Sequence, residues 1–210
     1  MATSRLRAWA LALGALLGAG CATPSASTRD GEPALLLTDA AGQPVRFDSL
    51  WQGQEATVVV FWSLGCPCVR RYQERVDALL GAWPSRRVRV VAVASNAGEP
   101  LDELLRVAKE RGVRVPLYRD EGGRVAQALG ARSTPSVAVL DGAGRVRFLG
   151  WMDNERLPGE ADRQPYVERA VGGLLAGAAF AARSPVFGCT ITRSLFTATP
   201  ATCGAHDPSP

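Results

Sequence analysis

Two cysteines separated by one proline, Cys66 and Cys68, stand in the stretch FWSLGCPCVRRY, Phe61 to Tyr72, directly after an apolar run. A cysteine placed where a buried strand turns into a helix meets unpaired backbone N–H groups and the positive end of the helix dipole. That setting favours the thiolate, the nucleophilic form of the side chain, and Arg70 and Arg71 add positive charge. Cys66 lies nearer the strand end and is the expected attacking sulfur; Cys68 is the expected resolving one. A Cys-X-Cys disulfide closes a ring of about 11 atoms, against roughly 14 for Cys-X-X-Cys, and needs a rigid turn. Pro67 fixes φ at that turn. A disulfide constrained in this way is more easily reduced, which places the pair toward the oxidising or isomerising end of thiol exchange.

The elements that would position these sulfurs follow from hydrophobic patterning. TVVVFW (Thr57 to Trp62) is β-branched and aromatic without alternation, the pattern of a strand buried on both faces. Tyr72, Val76, Leu79 and Leu80 recur at helical spacing from Val69 to Trp83, and VRVVAVA (Val88 to Ala94) is a second buried strand. Leu101, Leu104, Leu105 and Ala108 mark one face of a second helix between Pro100 and Gly112. Val115 to Tyr118 reads as a short strand and Gly123 to Leu129 as a short helix. SVAVL, the turn DGAG and VRFLGW then form a hairpin, and a last helix runs from about Gln164 to Ala182 with Val167, Ala170, Val171, Leu174, Leu175 and Ala178 inward. An earlier hairpin lies in PALLLTDAAGQPVRF. From Ser184 onward no element is evident. Strands alternating with helices argue for an α/β fold, a central mixed sheet with helices on both faces.

Composition sets the compartment. Arg5 and Arg7 precede the short apolar stretch Ala8 to Gly20, the pattern of a secretory leader. Its end, GAG-Cys21, resembles a bacterial lipobox and makes Cys21 the candidate lipidation site, with residues 21–33 as a polar tether to a membrane. The expected organisation is a leader over 1–20, that tether, one domain over 34–182 and a cysteine-containing, loop-rich extension over 183–210. The formal charge of +4 falls to +2 without Arg5 and Arg7, and no basic block exceeds a pair, so nucleic acid is excluded as a partner. Beyond Cys21, four cysteines remain, Cys66, Cys68, Cys189 and Cys203, and an oxidising envelope allows them to pair.

The FWxxxC run, the RSTPS segment (Arg132 to Ser136) before the terminal hairpin, and the element order together resemble the thioredoxin-like superfamily, in particular the redoxin branch of peroxiredoxins and membrane-tethered thiol–disulfide proteins. The resemblance covers roughly residues 34 to 182. It implies that Pro135 is cis and packs beside the active-site sulfurs, and that Thr134 offers backbone bonds to a bound substrate chain. It implies a thiol–disulfide oxidoreductase with protein thiols or disulfides as substrates and a thiol electron donor; the leader and lipobox pattern put it at the periplasmic face of a bacterial envelope, and with neither a Gly-rich phosphate loop nor a haem-attachment pattern in the sequence no cofactor or metal is expected. The alternative it implies is a thiol-dependent hydroperoxide reductase, for which Ser63 and Arg132 are the candidate peroxide-site residues. The sequence departs from relatives in having one residue between its cysteines, Val60 at the position of thioredoxin's buried aspartate and Val59 where a peroxiredoxin has proline. SPVFGCTITR (Ser184 to Arg193) is similar to a C-terminal extension of some envelope redoxin proteins, so Cys189 either folds back on Cys66 as a second resolving thiol or pairs with Cys203 as a staple. Two thiolates at this spacing also suit Cu(I), although the sole histidine, His206, lies near the end of the chain. Asp153, Asn154 and Glu155, in the loop after the hairpin, carry no assigned role.

Overall fold

A computed structural model describes residues 34–83, 85–155 and 162–193. The expected leader and tether, with Cys21, and also Cys203 and His206 lie outside the described residues. Among those described, no helix is long and apolar enough to cross a membrane.

The described residues begin with the expected hairpin, β1 (Leu36–Thr38) and β2 (Pro44–Arg46), paired antiparallel. Its turn is held by the Asp39 carboxylate, which accepts from the Ala41 and Gln43 N–H groups at 2.9 and 2.8 Å. β3 (Ala56–Trp62) is buried along its whole length and runs parallel to β4 (Val88–Ala94) and antiparallel to β7 (Val137–Asp141). Its continuous apolar run is thereby explained: Val58, Val60 and Trp62 enter one core, and Val59 and Phe61 enter the other. With β5 (Leu117–Arg119) and β8 (Val146–Gly150), the seven-stranded sheet has the order β2-β1-β5-β4-β3-β7-β8. One face is covered by α1 (Pro67–Ala78), α2 (Leu101–Glu110) and α4 (Tyr166–Ala176). The other is covered by α3 (Arg124–Leu129) with Phe47 and Leu50 of a 3-10 turn. Among the described residues, β6 (Ser133–Thr134) and β9 (Cys189–Thr190) form a small separate sheet.

Three expectations need correction. α1 begins at Pro67, two residues before Val69, because proline at the first helical position is already set for helical φ. α4 stops at Ala176, since Gly177 adopts φ +65° and closes it, leaving Ala178 exposed outside the helix. The region after Ser184 does contain an element, β9, too short to carry a readable alternation.

Buried polar groups tie the helices to the sheet. The Trp62 Nε1–H donates to Gln73 Oε1 at 2.9 Å, fastening α1 to the end of β3. Asp120, 1% exposed, accepts from Ser95 Oγ and from the Val125 and Ala126 N–H groups, satisfying the start of α3. Asp153 is fully buried and meets Arg75 of α1 at 2.7 Å and Arg163 at 2.9 Å, while Glu155 meets Arg75 at 2.8 Å. The loop after the hairpin is thus a structural ion-pair network. Removing one member of a buried network leaves its partners uncompensated, so Asp153→Ala is expected to lower unfolding free energy by about 3 kcal/mol. Urea denaturation measures it, and a loss under about 1 kcal/mol would contradict this reading.

Candidate functional site

β3 delivers the chain to the loop Ser63–Gly65, after which Cys66 takes the N-cap position of α1 with φ −87° and ψ 115°. Its carbonyl accepts the first helical bond, from the Arg70 N–H at 3.4 Å. Cys68 then falls in the first turn and is completely buried.

A second chain segment closes over this junction. The Thr134–Pro135 peptide is cis, as the resemblance implies, and the Thr134 carbonyl oxygen lies 3.2 Å from Cys66 Sγ. β6 pairs antiparallel with β9, Ser133 opposite Thr190 and Thr134 opposite Cys189. This register sets Cys189 against Cys66, and the two form a disulfide with Cα atoms 6.0 Å apart. The three sulfurs of Cys66, Cys68 and Cys189 all lie within 4.8 Å of one another. Of the two pairings open for Cys189 in the sequence, the structure has the one with Cys66; Cys203 is outside the described residues.

The extension is fixed on both sides of β9. The Ile191 N–H donates to the Arg132 carbonyl at 2.8 Å, the Thr192 N–H to Asn96 Oδ1 at 2.8 Å, and the Ala97 N–H to the Thr192 carbonyl at 2.6 Å. Ile191 is buried among Val125, Ala126 and Ala131, and Phe187 packs on the Trp151 ring. Gly188 adopts φ +138°, and a Cβ there would collide with the Thr134 carbonyl oxygen.

Two further groups, which sequence reasoning missed, meet the loop before Cys66. Glu99, only 7% exposed, accepts from Ser63 Oγ at 2.5 Å and, at longer range, from the Gly65 N–H and Asn96 Nδ2. Its other oxygen is buried without a hydrogen-bond partner. Burial pushes the Glu99 carboxyl above the usual carboxylate range, against the opposing pull of the Ser63 and backbone hydrogen bonds. Arg111, just past α2, donates from Nη2 to the Leu64 carbonyl at 2.9 Å and reaches over the Trp62 ring. It lines, with Arg70, Arg71, Leu64, Gly65, Cys66 and Pro67, a cleft of about 400 Å³. Burial and the neighbouring Arg70 pull the Arg111 pKa down from its ordinary value. Neither residue carries a local motif, since both reach the site only through tertiary folding. Of the two candidate peroxide-site residues, Ser63 is buried with its hydroxyl on Glu99, and Arg132 is exposed and supplies its backbone carbonyl to the extension.

Chemically, a sulfur at a helix N-terminus with two others in reach can exchange disulfide partners without large motion.

The chain is similar to several known proteins. Residues 29–149 match the AhpC/TSA family. The thiol-disulfide oxidoreductase ResA of Halalkalibacterium halodurans is 28% identical over 120 residues, 56% of this chain and 66% of that protein. Among solved structures, a hypothetical protein of Sinorhizobium meliloti 1021 is similar with a TM-score of 0.68 and 26% identity, covering 78% of this chain and 92% of its own. A thioredoxin-like protein of Porphyromonas gingivalis, 21% identical with a TM-score of 0.53 over 70% of this chain and 94% of its own, shares the fold. The fold is thioredoxin-like, as the resemblance implied. The family match ends before α4 and β9, so the extension with Cys189 lies beyond it.

Two outcomes follow from this arrangement. A carboxyl whose folded pKa is raised contributes its stability below the unfolded pKa, and that contribution is lost as pH rises through the folded value. Glu99→Gln keeps an acceptor for Ser63 and never ionises, so it is expected to be more stable than the parent at pH 8. The difference should vanish near about pH 4, where the unfolded carboxyl protonates; thermal melts across that range measure it, and a constant difference would contradict it. Gly188→Ala should push β9 off β6 and break the register of Cys189. Alkylation of the oxidised, native variant should then modify Cys189, which stays protected in the parent; continued protection would contradict this role for Gly188.

Proposed function

The chain belongs to the AhpC/TSA family, and on that premise we propose that it is a thiol–disulfide oxidoreductase of redoxin type whose reactive centre is Cys66. The observation that carries the reading is the set of three sulfurs within 4.8 Å of one another, at the N-cap of α1 and beside cis-Pro135. In the reducing direction the Cys66 thiolate attacks one sulfur of a substrate disulfide, and the other leaves as a thiolate that takes up a proton. Cys68 or Cys189 then attacks Cys66 Sγ, the second substrate sulfur leaves, and two electrons have passed from protein to substrate. Thr134, beside Cys66, is the backbone edge for a substrate chain once β9 has left it. The leader pattern and Cys21 support action on exported proteins from an anchored position at the envelope.

A hydroperoxide reductase is the second reading, favoured by family membership and by a partner cysteine remote in sequence from Cys66. There the Cys66 thiolate attacks the peroxide, giving an alcohol or water and a sulfenic acid, and Cys189 condenses with that acid to a disulfide and water. Reduced, the three sulfurs also fit the soft ligand set of Cu(I). An anaerobic titration showing no Cu(I) binding stronger than a bathocuproine competitor removes that role.

The experiment compares the parent with Cys66→Ser, Cys68→Ser and Cys189→Ser for reduction of a peptide disulfide and for consumption of a hydroperoxide. Cys66→Ser is expected to lose at least a hundredfold in peptide-disulfide exchange, and Cys68→Ser or Cys189→Ser to accumulate a mixed disulfide at Cys66. Exchange unchanged by Cys66→Ser overturns the oxidoreductase reading. Peroxide consumption that depends on Cys66 and exceeds disulfide exchange moves the assignment to the second reading.

A further inference from the structure

In the Cys66–Cys189 form, the backbone edge of Ser133 and Thr134 is already paired with Cys189 and Thr190. An extended protein chain has no free edge there, so whatever reopens this disulfide must approach Cys66 from another side. Cys66 is 2% exposed, and the cleft it lines includes neither Cys68 nor Cys189. Among the described residues, the charged side chains lining that cleft are three arginines, Arg70, Arg71 and Arg111, with Glu99 and Glu110 beside Arg111 but outside the lining. Arg111 is held over it by the Leu64 carbonyl and the Trp62 ring, while Nη1 of the same guanidinium is buried without a hydrogen-bond partner. Arg70 is exposed. The mouth of the cleft also meets the positive end of α1.

We infer that this arginine-lined cleft is a binding site for the carboxylate of a low-molecular-weight anionic thiol, which reduces the Cys66–Cys189 disulfide by attacking Cys66. The inference rests on the oxidoreductase reading and deepens it by naming the reductant class. The incoming thiolate bonds to Cys66 Sγ, the Cys66–Cys189 bond breaks, and Cys189 departs as a thiolate that takes a proton from water. A second small thiolate then attacks the small-molecule sulfur of the mixed disulfide and releases Cys66 as thiolate together with one small disulfide. Two small thiols are oxidised and the protein gains two electrons. Loss of the bond removes the covalent tie between Cys189 and Cys66 and leaves β9 on the Thr134 edge by its noncovalent contacts alone.

The test uses the oxidised full chain and three reductants of similar size: mercaptopropionate, mercaptoethanol and cysteamine, which are anionic, neutral and cationic beyond the thiol. Rate constants are referred to thiolate concentration and divided by each thiol's rate on a small neutral reference disulfide, which removes differences in ionised fraction and in intrinsic nucleophilicity. The anionic thiol is expected to react roughly tenfold faster than the neutral one and the cationic one slowest, with the preference shrinking as salt rises. Arg70→Glu, a surface change that leaves the fold's core untouched, should reduce the anionic-to-neutral ratio at least fivefold, and Arg111→Gln should also reduce it. Equal rates for all three thiols, or a ratio unchanged in both variants, overturns the inference while the oxidoreductase reading stands. If none of the three opens the native disulfide while the urea-unfolded chain is reduced by each, the oxidoreductase reading fails together with it.

Discussion

A two-residue backbone pairing, Ser133–Thr134 with Cys189–Thr190, brings Cys189 to Cys66. Little hydrogen-bond energy is involved, because two residues of strand are worth few net interactions. The pairing holds through its surroundings: Ile191 buried in the second core, Thr192 bonded to the Asn96 loop, and Gly188 giving the Thr134 carbonyl room. The disulfide is therefore one contact among several, and the extension retains partners on the domain when that bond is reduced. This separates the redox step from the docking of the segment that carries its second sulfur.

Behind that pairing stands β3. Buried on both faces and bonded to a neighbour on each side, it fixes the position of Trp62, whose indole fastens α1 through Gln73. The Ser63–Gly65 loop has little freedom left, being tied by Ser63 to Glu99 and by Leu64 to Arg111. The cysteine motif thus sits on a loop whose flanks are rigid and whose own polar contacts come from the β4–α2 loop and the end of α2. Such anchoring is what precise sulfur-to-sulfur geometry demands.

Much of this was legible in the sequence where a pattern repeats. β3 and β4 announced themselves as unbroken β-branched runs, α2 by its helical stripe between proline and glycine, and the β7–β8 hairpin by its DGAG turn. Cys66, named from its place after an apolar run, and the Thr134–Pro135 segment, named from the resemblance, come together in the structure. What stayed hidden depends on contacts between remote residues. The two-residue β9 has no periodicity to detect, the partner of Cys189 was one of several combinations, and Glu99 and Arg111 look like ordinary solvated charges until the fold turns them toward Cys66. The shortened α4 reflects a competition that Gly177 won over an apolar stripe continuing to Ala182.

The central claim is that Cys66 is the exchanging sulfur and that Cys189 is its partner in the oxidised chain. Mass-spectrometric mapping of the full chain, equilibrated in graded glutathione buffers and then quenched by differential alkylation, tests it most directly. The oxidised end should yield the Cys66 peptide linked to the Cys189 peptide, opening cooperatively to free thiols as the buffer becomes reducing. A chain in which Cys189 is linked to Cys203 throughout, with Cys66 never joined to it, would contradict the account.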